Sequence, residues 1–365
     1  FPYLILISLV TLFSGMINSL GKFATVAFTP IILNVVLIIA IILTTYLKKN
    51  SGEVIAASIT IAGIFQLLWL LFPIYKLNMK LFLAFPHYTK KHIEFFKLFL
   101  PGVIGASVVQ INLLTDIIFA SLLPKGSISF LYFADRVNQL PVGIIGVALS
   151  TALLPILSQK IIAKKEKEAV KIQNRAIEIG FFFGLPATLT FIFFSQEIIQ
   201  PLFERGAFSA NDTFLTSQAL IAYAFGLPAY ILLKIISVSF FSRKNTIIPV
   251  IIAILSVSLN VILNYFLIKY FQHVGLAMAT AISSWVNVIL LVIILLYKTW
   301  WAPDYDLIKT VIKIFFSSLL MIIFLILINN FIIQENLEYF NKISSLFILV
   351  LSGLLVYILF SKLFR

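Results

Sequence analysis

Apolar residues occur along this chain in long runs, separated by short polar connections that are mostly basic. A run of about 20 apolar residues forms a helix that crosses the roughly 30 Å hydrocarbon core of a bilayer. Eleven stretches fit this length, at 1–20, 28–47, 54–75, 98–123, 127–157, 177–196, 213–241, 247–269, 273–297, 308–331 and 343–362. The pattern predicts an all-α polytopic membrane protein with about eleven transmembrane helices.

Composition supports this fold class and excludes several functions. The 365 residues are 61% hydrophobic and 11% charged, which a soluble domain cannot bury. The net charge of +13 lies mainly in the connections, so it indicates membrane topology and no nucleic-acid partner. Cysteine is absent, which excludes thiolate chemistry. The glycines before Lys22 miss the spacing of a phosphate-binding loop, and no span pairs a nucleophile with a base, so neither a nucleotide nor an enzymatic activity is predicted.

Basic residues alternate between the two sides of the predicted membrane. The connections around 76–97, 159–175 and 243–244 and the C-terminus carry most of the Lys and Arg, which places them in the cytoplasm by the positive-inside rule. Phe1 is then expected outside and the C-terminus inside. The segments 76–97 and 159–175 also mix basic and apolar residues, which predicts interfacial helices on an anionic leaflet. Simple charge anchoring, without a specific ligand, is the alternative interpretation.

Four ionisable residues lie within predicted spans: Asp116, Asp135, Arg136 and Lys234. A charge at membrane depth costs roughly 2.5–3.5 kcal/mol on insertion scales, so such residues usually face a cavity. Arg136 and Gln139 share a helix face. We therefore expect a polar cavity lined by these residues. Ion pairing that only fixes helix packing is the alternative, and Lys234 has the further alternative of extending toward the membrane surface.

A second polar group combines Asn260 and Asn264, one turn apart, with Thr280 on the next predicted helix. Together with Asp116 these side chains offer oxygen ligands to a small hard cation. Interhelical hydrogen bonding, worth about 0.6 kcal/mol per bond, is the alternative interpretation.

The stretch from Tyr132 to Pro155 contains Ala134-Asp135-Arg136 followed by Leu140-Pro141-Val142-Gly143. It closely resembles the signature helix of the MurJ/MviN family of lipid II flippases. Other blocks of the chain resemble the family in the same order, namely Phe1-Pro2-Tyr3-Leu4, Phe28-Thr29-Pro30, Gln110-Ile111-Asn112, Phe119-Ala120-Ser121, Leu202 to Phe208, Ala219 to Tyr223 and Phe241 to Lys244. The resemblance covers essentially the whole chain.

This resemblance implies a MOP-type two-lobed flippase fold, in which the eleven spans match the fourth to fourteenth helices of the family. The chain is accordingly expected to be N-terminally truncated, without the first three helices. The implied regions are the remainder of the N-terminal lobe at 1–97, a six-helix C-terminal lobe at 98–297, and two further helices at 298–365 that form a lipid-tail groove.

The resemblance also implies roles for individual residues. Arg136 matches a cavity arginine that the family requires, and Asp135 matches its neighbouring acid. Arg136 and Lys234 are expected to attract the substrate's pyrophosphate, with Asp135 and Gln139 in the same site. The family's sodium site is matched by five positions, Asp116, Asn260, Asn264, Thr280 and the Leu276 carbonyl. Asn264 stands where the family has a carboxylate, so weaker sodium binding is expected; no other cofactor is predicted.

The function implied is the transfer of lipid II from the cytoplasmic to the periplasmic leaflet of the bacterial inner membrane by alternating access. The expected partners are lipid II, membrane phospholipids and the peptidoglycan synthesis machinery. The sequence leaves two alternatives open. One is another MOP-type exporter, of a lipid-linked polysaccharide or a drug, and the other is a membrane scaffold that transports nothing.

Overall fold

The computed structural model describes residues 2–19, 23–47, 51–76, 103, 107, 110–332 and 339–363. Every regular element among these residues is a helix, and eight helical stretches are long and apolar enough to cross a membrane. The prediction of an all-helical polytopic membrane protein is thereby confirmed. The chain divides into two compact units, Phe1–Lys90 and Lys91–Arg365.

Unit 1 contains four described helices: α1 (Pro2–Ser19), α2 (Phe23–Ala27), α3 (Thr29–Leu47) and α4 (Ser51–Lys76). Both α1 and α3 pack against α4. Buried apolar side chains of α1 and α4 meet in a small core that includes Ile17 and Leu70. The buried amide of Gln66 donates to the Thr29 carbonyl at 3.1 Å, which ties α4 to the start of α3. Beyond Lys76, the basic segment predicted at 76–97 lies outside the described residues.

The first continuous helix described in unit 2 is α5 (residues 110–121), which lies within the predicted span 98–123. The helices that follow are α6 (Ser127–Pro141), α7 (Ala148–Ile162), α8 (Glu166–Phe193), α9 (Ser195–Phe203), α10 (Ala210–Phe241), α11 (Ile247–Tyr297), α12 (Tyr305–Ile332) and α13 (Tyr339–Leu363). The short helix α9 was not predicted from the sequence. The other helices match predicted spans, and several extend beyond them.

Helix α10 is the centre of unit 2, and α6, α7, α8, α9 and α11 all pack around it. Most of its side chains are buried, and they contribute to both apolar cores of this unit. Ser209 and Asp212 form a capping box at its first turn, with the Ser209 N–H donating to the Asp212 carboxylate at 2.8 Å. This box satisfies backbone donors that the first turn leaves unpaired.

Residues Val142–Val147, between α6 and α7, form a π-helix. The sequence pattern predicted an uninterrupted α-helix over 127–157, so this register change is a correction. Pro141 lies directly before the π segment and has no backbone N–H, which removes one α-helical hydrogen bond. An inserted π turn accommodates such a break, and π turns in helices occur frequently at functional sites.

Helix α11 reverses direction at Gln272, where φ is 48° and ψ is −129°, so it consists of two helices, 247–271 and 273–297. This confirms the predicted division into two spans. Gly275 allows the halves to approach closely, because a Cβ atom on it would lie 2.5 Å from the carbonyl oxygen of Leu267. Near this reversal, Nε2 of His273 lies 2.9 Å from the Leu215 carbonyl oxygen, which joins the turn to α10.

The ends of α7 and α10 meet the starts of α8 and α12 at what we call the basic end of unit 2. Arg243 donates to the Glu166 carboxylate at 2.7 Å and to the Trp300 carbonyl at 3.2 Å. Asn174 accepts a 2.6 Å hydrogen bond from the indole of Trp301. These contacts hold α8, α10 and the α11–α12 connection together.

The prediction of a separate interfacial helix at 159–175 is wrong. Instead, α7 continues to Ile162, and α8 begins at Glu166 after a turn in which Lys164 has φ 57°. Glu168, in the first turn of α8, forms ion pairs with Lys160 at 2.6 Å and with Lys165 at 3.0 Å. Acidic residues at a helix start interact favourably with the helix dipole, which explains why a helix begins inside this basic segment.

Candidate functional site

The polar residues predicted to form a cation site converge in unit 2. Asn260 and Asn264 lie before the reversal at Gln272 and Thr280 lies after it, and a 3.3 Å contact between the Asn260 and Thr280 side chains joins the two halves of the hairpin at this level. The Asn264 amide donates to the Asp116 carboxylate at 2.7 Å, which joins α5 to α11. The Thr280 hydroxyl lies 3.5 Å from the second Asp116 oxygen and donates to the Leu276 carbonyl at 3.1 Å.

Asn260 completes this cluster. With its amide oriented so that its neighbours are satisfied, Asn260 donates to Asp116 Oδ1 at 3.2 Å and to Asn112 Oδ1 at 3.1 Å. It then accepts from the backbone N–H and the hydroxyl of Thr280, each at 3.3 Å. The structure therefore brings all five predicted positions together, and it adds Asn112, which lies one turn before Asp116.

The donor set of this cluster fits a small monovalent cation. Its oxygens come from one carboxylate, amide and hydroxyl groups and the Leu276 carbonyl, the ligand types that hard cations prefer. The Oδ1 atom of Asn264 is buried and has no hydrogen-bond partner among the described residues. No group of three or more His, Cys, Asp or Glu is found among the described residues, so nothing described there suits a transition metal. Cation binding itself stays a prediction.

Asp135 and Arg136, on α6, do not neutralise each other through an ion pair. The Asp135 carboxylate accepts a 2.5 Å hydrogen bond from the Gln139 amide, one turn further along. The Arg136 side chain is exposed, and no ion pair to it within 4 Å is found in the described part of the chain. Its guanidinium instead stacks on the Tyr132 ring at 4.7 Å from the ring centre. The guanidinium is thus held in place while its hydrogen-bonding edge stays available for an anion.

Lys234 lies on α10 beside the π segment. A Cβ atom built on Gly146 would be 3.4 Å from the Lys234 Cγ atom, so the lysine stem passes this glycine. Gly146 is ten residues beyond Arg136, roughly 15 Å along the helix axis at 1.5 Å per residue. The structure therefore places Lys234 on a neighbouring helix and at a different depth from Arg136. A shared role in substrate binding stays a prediction.

Sequence reasoning missed two residues that shape these sites. Tyr132 supports Arg136 through ring stacking, and its signal was the spacing of four residues that places both on one helix face. Gly275 sets the spacing of the two halves of α11, but nothing in the sequence distinguished it from other glycines in spans, because its close neighbour Leu267 lies across the reversal.

Comparison with known proteins places this chain in a family. The family model described as lipid II flippase MurJ matches residues 1–351. A curated protein of Buchnera aphidicola subsp. Acyrthosiphon pisum, named probable lipid II flippase MurJ, is 35% identical over 356 residues, which cover 95% of this chain and 68% of that relative. In eight such relatives the chain spans between 55% and 69% of the relative's length.

Solved structures agree with this placement. A structure described as lipid II flippase MurJ in an inward closed conformation superimposes with a TM-score of 0.79 at 32% identity, and the match covers 100% of this chain and 72% of that one. The Vibrio cholerae MATE transporter VcmN matches with a TM-score of 0.51 at 17% identity over 73% of this chain and 66% of that one, a likeness of fold alone. The predicted MOP-type fold is confirmed by these matches. On all of this evidence, the chain is a multi-pass membrane protein that belongs to the lipid II flippase MurJ family, a family of transporters and not of enzymes.

Proposed function

We propose that this chain carries out lipid II translocation, from the cytoplasmic to the periplasmic leaflet of the bacterial inner membrane. The observation that carries the proposal is Arg136, an exposed guanidinium without an ion pair among the described residues, on an apolar helix of a MurJ-family chain. A cation at membrane depth is costly unless it faces a cavity or a counter-charge. The pyrophosphate of a lipid-linked precursor supplies that charge.

The proposed orientation follows from the basic end of unit 2. Arg243, Lys160 and the other cations around the starts of α8 and α12 face the cytoplasm under the positive-inside rule. The C-terminus, directly after α13, is then cytoplasmic. Arg136 is nine residues into α6, which begins at the other end, so it lies in the periplasmic half of the membrane. Contact with the peptidoglycan synthesis machinery stays a prediction.

In the proposed mechanism the lobes alternate between inward and outward access while the prenyl tail stays in lipid. Arg136 attracts the anionic headgroup through charge-assisted hydrogen bonds, and Tyr132 keeps the guanidinium oriented. Moving one charge across 100 mV is worth about 2.3 kcal/mol, so an inside-negative potential drives a doubly anionic headgroup outward by about 4.6 kcal/mol. No nucleotide is required for this step.

We propose sodium as the ion held by the polar cluster. Asp116, Asn260, Asn264, Thr280 and the Leu276 carbonyl would hold it, and bound sodium would supply one positive charge beside Asp116. Because the cluster joins α5 to both halves of α11, filling it would stabilise one arrangement of these helices. The proposal is supported by the unused Asn264 oxygen and by the all-oxygen donor set.

The test of transport replaces Arg136 in the protein as its gene encodes it, in cells depleted of their own flippase. Arg136→Ala is expected to abolish the appearance of lipid II in the outer leaflet, measured by its accessibility to an external lipid II hydrolase. Lys269→Ala is a matched control, because Lys269 also stacks on a tyrosine four residues earlier, at 4.5 Å from the Tyr265 ring centre. Normal translocation by Arg136→Ala, at the same protein level as the control, would show that Arg136 has no such role.

A further inference from the structure

A pocket of about 510 Å³ lies between α8, α12 and α13, apart from both polar sites described above. Its volume is within the range of roughly 300–1,000 Å³ that is typical of small-molecule sites. Three cations line it, namely Arg175 in α8, Lys313 in α12 and Lys362 in the last turn of α13. Lys362 lies at the basic end, where α13 finishes, and Arg175 and Lys313 lie roughly 12–14 Å along their helices from the starts at that end.

Each wall of the pocket is a single helix face. Arg175, Glu178, Ile179 and Phe182 follow the spacing i, i+3, i+4, i+7 on α8, and α12 repeats this spacing from Thr310 to Ser317. Arg175 is seven residues before Phe182, so cationic and aromatic groups are separated by roughly 10 Å along the helix. The lining is therefore cationic toward the basic end and aromatic at greater depth.

The walls are fixed to one another at this depth. The Tyr357 hydroxyl donates to the Phe182 carbonyl at 2.6 Å, and the rings of these two residues lie 5.0 Å apart. Phe183, beside them, is 47% exposed and lines the pocket. An apolar surface thus stays open between helices that are already joined.

The pocket carries a positive charge that the described residues do not neutralise. Glu178 is its one acidic lining residue, and it pairs with Arg175 at 2.6 Å. No ion pair is found between Lys313 or Lys362 and any described residue. Two ammonium groups beside an apolar surface fit a ligand with an anionic head and a hydrocarbon tail.

We propose that this pocket binds one anionic phospholipid of the leaflet at the basic end, with its phosphate between Lys313 and Lys362 and an acyl chain along Phe182 and Phe183. A phosphoglycerol head and the beginning of its chains fit the volume, whereas a disaccharide that carries a peptide does not. The bound phospholipid bridges α12 and α13 to α8. The inference goes beyond the proposed transport and does not depend on it.

A tryptophan placed in the pocket tests this proposal directly. Phe183→Trp in the full chain, reconstituted in phosphatidylcholine bilayers, is titrated with brominated phosphatidylglycerol or with brominated phosphatidylcholine. The fluorescence of the unsubstituted chain is subtracted. Brominated phosphatidylglycerol is expected to quench the new tryptophan at lower mole fraction. Equal quenching by the two lipids would overturn the proposal.

Charge variants of the Phe183→Trp chain then show which residues cause the preference for phosphatidylglycerol. A cation beside an anionic lipid surface contributes a factor of about five, so Lys313→Gln with Lys362→Gln is expected to reduce the preference on the order of 25-fold. Lys362→Gln alone, at an exposed helix end that tolerates substitution, is expected to reduce it about fivefold. Lys313→Arg with Lys362→Arg is expected to retain it.

The matched control is Lys167→Gln with Lys309→Gln, which removes the same charge from exposed positions outside the pocket at the same end. An equal loss in this control would mean that only the general surface charge attracts the lipid, and it would refute a specific site. A last experiment adds lipid II as a competitor for the pocket. Full displacement of the brominated phosphatidylglycerol by equimolar lipid II would assign the pocket to the transport substrate instead.

Discussion

Replacing Gly275 by alanine is expected to force apart the two halves of α11. The added Cβ atom would lie 2.5 Å from the Leu267 carbonyl oxygen and 2.7 Å from its carbonyl carbon, whereas real Cβ contacts are essentially never under 3.0 Å. The backbone must therefore move by about 0.5 Å, the difference between 3.0 and 2.5 Å. Because both contacts are backbone atoms, no side-chain rotation relieves them.

The loss of stability in Gly275→Ala is best compared with the effect of alanine at a second glycine. Gly143, also in unit 2, has no atom within 4 Å of the position that an alanine methyl group would occupy, so Gly143→Ala has no clash. Alanine gains roughly 0.5–1 kcal/mol over glycine in a helix at either position, and this gain cancels in the comparison. The remaining difference is the cost of overpacking, about 1–3 kcal/mol. Gly275→Ala is expected to be less stable than Gly143→Ala by this amount.

The assay is reversible unfolding of both variants in mixed detergent micelles, followed by far-UV circular dichroism and repeated with sodium or choline as the cation. Because Gly275 adjoins Leu276 and lies against Leu267, on the half of α11 that carries Asn264, any sodium-dependent stabilisation is expected to shrink in Gly275→Ala only. Equal unfolding free energies for the two variants would refute the argument that close backbone approach at Gly275 holds the hairpin together.

Three further predictions concern the cluster and the helix ends. Sodium at 100 times its Kd is expected to stabilise the chain by about 2.7 kcal/mol, and Asp116→Asn is expected to remove this gain. Thermal unfolding in sodium is compared with thermal unfolding in potassium and in choline. If sodium still stabilises Asp116→Asn, the assignment of the cluster as a cation site is wrong. Arg243→Gln loses the hydrogen bond to Glu166 and two hydrogen bonds to backbone carbonyls, so we expect the free energy of unfolding to fall by about 1–3 kcal/mol. An unchanged free energy of unfolding would contradict the stabilising role of this buried guanidinium. Ser209→Ala removes one half of the capping box with Asp212 and is expected to cost about 1 kcal/mol, with hydrogen exchange faster in the first turn of α10 and unchanged in α12.

The sequence predicted the helices and the polar cluster because both depend on short-range regularities. Spans are visible as apolar runs, and the pairing of Asn260 with Asn264 follows from one helical turn. The reversal at Gln272 was found from span length, although neither glycine nor proline marks that residue. The reversal then brings Thr280 against Asn260, whose side chain contacts the Thr280 hydroxyl at 3.3 Å.

Features that depend on distant partners were not predictable in the same way. The contacts of Arg243 with Glu166 and Trp300 join residues 77 and 57 positions apart, and no local pattern connects them. The π segment was not predicted because the apolar pattern continues through Pro141 without a break. Its effect on register appears only when the freed carbonyl must find a new donor.

The central position of α10 has a consequence for how this protein is made. Thr213, Thr216, Ser217 and Ser239 are fully or almost fully buried on this helix, and Lys234 lies on it as well. During synthesis α10 leaves the ribosome before α11 exists, so these polar groups face either lipid or the helices already inserted. Hydroxyl groups and a lysine in hydrocarbon are unfavourable, and a translocon releases such a segment more readily when earlier helices receive it. We therefore expect α6 and α8 to act as an intramolecular chaperone for α10, so that deletions in those early helices impair its insertion as well as the packing of the finished protein.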